Sequence, residues 1–149
     1  LRMGMRDPLP EVPPEINLIY DFGGYPDARI IDAAKQADMV IVPIIYESPL
    51  EMQVTLNALG EIEKYNDKIL IVLNKAKAGD YERAKAVFEQ FDIHYPVFEV
   101  KQSTAFSRAI EHKKSLQQMV DENALFSFHY SKPLEQVRAI LKAIADATS

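Results

Sequence analysis

The chain has no cysteine. Disulfides, thiolate zinc sites and a cysteine nucleophile are therefore excluded, and the absence suits a reducing compartment. No apolar run approaches the roughly 20 residues that span a bilayer, and no basic segment leads into an apolar one at the start, so a cytoplasmic protein is the expectation. Histidine is scarce: His94, His112 and His129 share no ligand-like spacing, which speaks against a histidine metal site. Positive charge is in deficit, and a net charge of −5 at pH 7 argues against a surface that grips nucleic acid by phosphate neutralisation alone. Glycine is sparse too. None of Gly4, Gly23, Gly24, Gly60 and Gly79 is followed by Lys-Ser or Lys-Thr, so the lysine-bearing phosphate loop, G-x-x-x-x-G-K-S/T, is missing.

What is present suffices for one core. The 149 residues are 48% hydrophobic, ordinary for a single globular domain. Residue 1 is Leu rather than the Met of a start codon, which raises the expectation of a piece of something longer. Pro8, Pro10, Pro13 and Pro14 oppose helices and ladders, so residues 1–15 read as a lead-in or linker and residues 16–149 as the domain. Beyond them strand-like runs at Ile16–Tyr20, Met39–Val42, Ile69–Leu73 and Pro96–Val100 alternate with helical periodicity. That order predicts an α/β fold, a mostly parallel sheet with helices on both faces.

Helix starts are marked by particular residues. Asp27 is placed to cap a helix through Gln36, and Ser48-Pro49-Leu50-Glu51 joins a capping box to a proline at the first helical position, opening a helix to about Tyr65. Asp80 is placed to cap Tyr81–Phe91, Ser103 a helix to about His112, and Ser115-Leu116-Gln117-Gln118 forms a further capping box. Pro133 is expected to start the last helix, in which Leu134, Val137, Ile140, Leu141 and Ile144 repeat at helical spacing.

The segment richest in chemistry is Ile16-Asn17-Leu18-Ile19-Tyr20-Asp21-Phe22-Gly23-Gly24. A buried parallel strand that delivers Asp21 to its carboxyl end, followed by glycines that let backbone N–H groups approach a ligand, is one way to hold Mg²⁺ beside a phosphate. The bland alternative is a turn after a buried strand. Pro43 and Asn74 close two further strands at the edge where open α/β sheets bind ligands. The Asn74 amide has both a donor and an acceptor, enough to read the two-sided edge of a purine; alone it is better explained as a turn residue after a strand.

Together these segments, with Ala33-Ala34-Lys35-Gln36-Ala37-Asp38-Met39-Val40-Ile41-Val42-Pro43, Ile69-Leu70-Ile71-Val72-Leu73-Asn74-Lys75 and Ser103-Thr104-Ala105-Phe106-Ser107-Arg108-Ala109, resemble the ParA/MinD group of deviant-Walker partition ATPases over roughly residues 16 to 145. The resemblance implies a P-loop NTPase-like fold, incomplete at its N-terminus, and a role for ATP and Mg²⁺ in plasmid or chromosome partition or cargo positioning. It implies that Asp21 is the Walker B carboxylate and metal ligand and that Gly24, in Asp21-Phe22-Gly23-Gly24, is the switch glycine beside Gly23. Pro43, Asn74 and Lys75 would line the nucleotide, with Asn74 on adenine. A homodimer, a partner protein that stimulates turnover, and nonspecific DNA are the implied partners. In that family the phosphate-loop strand lies between the strands equivalent to Ile16–Tyr20 and Met39–Val42, so either that strand is supplied or the two pair directly. Without the phosphate loop the chain should not hydrolyse ATP by itself.

Two basic groups bear on DNA. Arg108, His112, Lys113 and Lys114 cluster locally, and Lys132, Arg138 and Lys142 line the last helix, while Glu111, Asp121 and Glu135 dilute the field. Most such clusters are only solvated faces. Two other classes compete with the ATPase: a non-catalytic α/β adaptor for a protein partner, and a flavodoxin-like regulatory domain that binds a small ligand at Asp21 and Gly23-Gly24.

Overall fold

A computed structural model describes residues 8–10, 13, 15–22 and 29–148. Its elements run α1 (Arg29–Gln36), β1 (Val40–Ile44), α2 (Pro49–Glu63), β2 (Ile69–Ala76), α3 (Asp80–Gln90), β3 (Val97–Lys101), α4 (Ala105–His112), α5 (Leu116–Glu122) and α6 (Ala124–Thr148). The three strands lie in the order β1-β2-β3, all parallel. The α/β class and the parallel pairing expected from the alternating pattern are present.

The central strand explains the core. Both neighbours pair with β2, and Ile69, Ile71 and Leu73 alternate onto one face, where Met52, Leu56 and Leu59 of α2 and Ala84, Val87 and Phe88 of α3 cover them. A second cluster joins Ala105 of α4, Leu116 and Met119 of α5, and Tyr130 and Leu134 of α6. The loop between α2 and β2 anchors α1: Asn66 Nδ2 donates to the Ala34 and Ala37 carbonyls at 2.9 and 2.8 Å, satisfying acceptors that the end of a helix leaves open.

The Ser115 capping box forms in full, with Gln118 N donating to Ser115 Oγ at 3.2 Å and Ser115 N donating to Gln118 Oε1 at 2.9 Å. Ser115→Ala is expected to cost about 1 kcal/mol of unfolding free energy, read as a lowered urea midpoint at constant m; an unchanged midpoint would show that the box adds nothing in this chain.

Three expectations are corrected. Residues 16–22 form no strand: Ile16 N donates to Pro13 O at 3.0 Å, and Ile16, Leu18 and Ile19 are 57%, 43% and 90% exposed. The apolar sequence alone cannot hold a strand that finds no ladder partner. The direct pairing of Ile16–Tyr20 with the next strand is accordingly not seen. Val40 N donates to Lys68 O, which turns Val40, Val42 and Ile44 toward β2 and leaves the Ile41 and Pro43 backbone on the opposite edge, unpaired among the described residues. There the missing N–H of Pro43 breaks no ladder bond.

The second correction concerns Pro133, which lies inside α6 rather than at its start. The helix begins at Ala124, where Leu125 N donates to Asn123 Oδ1 at 2.8 Å. An internal proline forfeits a helix bond and costs about 3 kcal/mol, a loss offset here by burial of Tyr130, Pro133 and Leu134. The third concerns Asp80, which is the first residue of α3 and turns its carboxylate back into the preceding loop. The expected cap Asp27 lies outside the described residues.

Candidate functional site

The carboxyl ends of the strands carry Pro43, Asn74 and Lys75, half of the expected site residues. Pro43 is in register with Val72 and Ile44 with Leu73, so Pro43 stands on the same side of the sheet as Val72 and Asn74, near the end of its strand. Asn74 is opposite Val100 of β3 and half-buried. β2 runs on past Asn74 to Ala76, so Asn74 and Lys75 are strand residues rather than the turn after it.

A bulge sets their geometry. Asn74 pairs with Val100 and Ala76 with Lys101, leaving Lys75 as the extra residue, at φ 52°. This left-handed conformation is uncommon for a lysine. Asn74 Oδ1 accepts from Lys75 N at 2.9 Å and so braces the kink. One lone pair of Oδ1 and both protons of the Asn74 amide remain for a ligand among the described residues. Gln102 N, just past β3, donates to Ala76 O at 3.1 Å.

The loop between β2 and α3 is held by Asp80. Its Oδ2 accepts from Lys77 N at 2.7 Å and its Oδ1 meets Arg83 Nη2 at 2.6 Å. Asp80 is 5% exposed as a residue. The Lys77 amide, and after it the Arg83 guanidinium, hold the Asp80 carboxyl below its ordinary value of 3.8. A depressed folded value means that the unfolded chain binds the proton more readily, so this stabilisation is complete above the ordinary value and is lost as pH falls through the folded one. Asp80→Asn should therefore be less stable than the natural chain at pH 6, with the gap closing below about pH 4. Chemical denaturation across that range checks this, and a pH-independent gap would contradict it.

Arg83 reaches further, its guanidinium carbon lying 5.6 Å from the centroid of the Tyr46 ring in the loop after β1. Sequence reasoning missed Tyr46 and Arg83. The three-residue spacing from Asp80 to Arg83 signals the ion pair, whereas the Tyr46 contact exists only once β1 and β2 are side by side.

Asp21 is not part of this rim framework. It is exposed and lies in the irregular segment 16–22, and Gly23 and Gly24 lie outside the described residues. No group of three or more His, Cys, Asp or Glu side chains able to hold a metal is found among the described residues. The basic residues are dispersed: Lys114 pairs with Glu122 and Arg138 donates to Gln117, while Lys113 closes α4 at φ 53°. A separate cleft of about 230 Å³, lined in part by Phe88, His94, Tyr95 and Val97, sits at the amino end of β3, away from the rim. No helix among the described residues is long and apolar enough to cross a membrane.

The rim offers an amide donor and acceptor at Asn74 and exposed cations at Lys75 and Lys77. The chain matches no family model, no curated protein and no solved structure.

Proposed function

We propose that this chain carries the base-binding side of a nucleotide site in a ParA/MinD-like ATPase that acts in partition or cargo positioning. The observation that supports this most is Asn74, half-buried at the carboxyl end of the central strand, its carbonyl oxygen bracing the Lys75 kink and its amide protons without a partner among the described residues. Adenine presents an amino donor beside a ring-nitrogen acceptor, and one carboxamide can satisfy both. Pro43 and Lys75 flank that position along the same rim.

Among the described residues, Asn74, Pro43 and Lys75 support the base side of the site alone. For Mg²⁺ the expected ligand is Asp21, exposed and outside the sheet, so no hydrolytic step is assigned to this chain by itself. The catalytic assignments of Asp21 and Gly24, the homodimer, the stimulating partner protein and nonspecific DNA binding stand as parts of the same proposal. All of them depend on a lysine-bearing phosphate loop supplied by another segment.

Competition for bound fluorescent ATP tests the base-side reading. Adenosine should displace it and inorganic phosphate at equal concentration should not; displacement by phosphate alone would sink a base-reading rim. A second reading, a non-catalytic adaptor for a protein partner, is favoured by exposed apolar side chains on the helices, with Ile110 79%, Leu125 61% and Phe128 81% exposed. It predicts no saturable nucleotide binding at all.

A further inference from the structure

Two loops at the carboxyl edge of the sheet are joined by a chain of contacts that neither loop makes alone. Tyr46, in the loop after β1, is half-buried and packs against the main core cluster. The Arg83 guanidinium lies over its ring at 5.6 Å, within reach of a cation–π attraction. The same guanidinium is gripped by Asp80 Oδ1 at 2.6 Å, and the other carboxylate oxygen of Asp80 accepts from Lys77 N at 2.7 Å.

Gly79 makes room for this arrangement. It sits at φ 82°, and a Cβ built there would come within 3.0 Å of Arg83 Nη1. A side chain would strain the turn and crowd the guanidinium together. Asp80 alone would suffice to tighten the start of α3. The placement of Arg83 over Tyr46 adds a connection across the strands, from the β1 loop to the backbone that follows Asn74 and Lys75.

We propose that Arg83 is a positioning residue: held by Asp80 and laid over Tyr46, it couples the β1–α2 loop to the β2–α3 loop, so that both keep one arrangement around an adenine-type base. The ligand half of this inference rests on the nucleotide-site reading; the coupling of the two loops does not. Ordering one loop then orders the other, and a base that contacts Asn74 finds Tyr46 and Lys77 already placed.

Backbone amide exchange on the full 149-residue chain, in Tyr46→Leu, Tyr46→Phe and Arg83→Gln, separates coupling from a local helix brace. Tyr46→Leu should speed exchange at Lys77 about two- to fivefold, the scale of an exposed cation–π contact, with the core amides of β2 unchanged, and Tyr46→Phe should restore the natural rate. Arg83→Gln, at a side chain 54% exposed, should speed exchange at Lys77 and also over residues 45–48. A Lys77 rate unaltered by Tyr46→Leu, or an Arg83→Gln effect confined to residues 77–83, would overturn the coupling. Affinity for ATP measured on the same proteins should fall in parallel, by a similar factor, in Tyr46→Leu and Arg83→Gln and not in Tyr46→Phe. Absence of ATP binding to the natural chain would overturn the nucleotide-site reading and with it the ligand half, while the exchange rates would still decide the coupling.

Discussion

Leu73→Ala is expected to lower the unfolding free energy by about 2–5 kcal/mol, a large share of the roughly 5–15 kcal/mol that holds a domain of this kind. Leu73 is fully buried, in the central strand, opposite Ile44 on one side and Glu99 on the other. It belongs to the cluster that α2 and α3 build over the sheet with Met52, Leu56 and Phe88. Truncation removes its transfer free energy and leaves a cavity that a strand paired on both edges cannot close by shifting. Urea denaturation reads the effect as a lowered midpoint at constant m. Leu141→Ala is the control: 59% exposed on α6, it should change stability by about 0.5 kcal/mol or less. A loss at Leu73 no larger than that at Leu141 would show that the sheet is not the centre of the core.

Asn74→Ala is expected to weaken ATP about tenfold, the equivalent of one good polar contact, while leaving the affinity for inorganic phosphate unchanged. Alanine removes two things at once, the amide protons offered to the base and the oxygen that accepts from Lys75 N. Asn74→Asp separates them, since the carboxylate retains an acceptor for Lys75 and has no proton to donate. The two substitutions should therefore lose ATP affinity to a similar degree if the amide donor reads the base. Asn74→Asp should preserve affinity if only the Lys75 kink matters. Equal losses for ATP and phosphate would remove the base-reading role altogether.

Much of the sheet was legible because its signals are local. The run Ile69-Leu70-Ile71-Val72-Leu73 has no polar break, as a strand buried on both faces demands, and it is the central strand. Ser115 with Gln118, and Pro49 at the first turn of α2, are chemical marks of helix starts that need no tertiary context. Pro133 misled for a related reason: proline favours a first turn, but Asn123 ten residues earlier already supplies the cap, and burial around Tyr130 and Leu134 outweighs the lost bond. Residues 16–20 misled more deeply. Their pattern states that they can be buried, whereas a strand also requires a neighbour, which no property of the segment itself supplies.

The candidate site divides along the same line. Asn74 and Pro43 were legible as strand-end residues, since the direction of a parallel sheet places every such end on one rim. The left-handed Lys75 was not, because the bulge arises from the register between β2 and β3. Nor was the contact of Arg83 with Tyr46, residues separated by an intervening helix and strand. Asp80 reads in the sequence as a helix cap, and its larger part, the bond to the Lys77 amide that fixes the loop beside Asn74, follows only from where the carboxylate turns.

Chemical-shift mapping of backbone amides during titration with ATP and Mg²⁺ tests the rim most directly. Saturable shifts confined to residues 44–48, 74–80 and 102–105, displaced to about tenfold higher ATP by Asn74→Asp, are the predicted result. Shifts centred instead on His94 and Tyr95 at the amino end of β3, or no saturable shift at millimolar ATP, would contradict a nucleotide-binding rim.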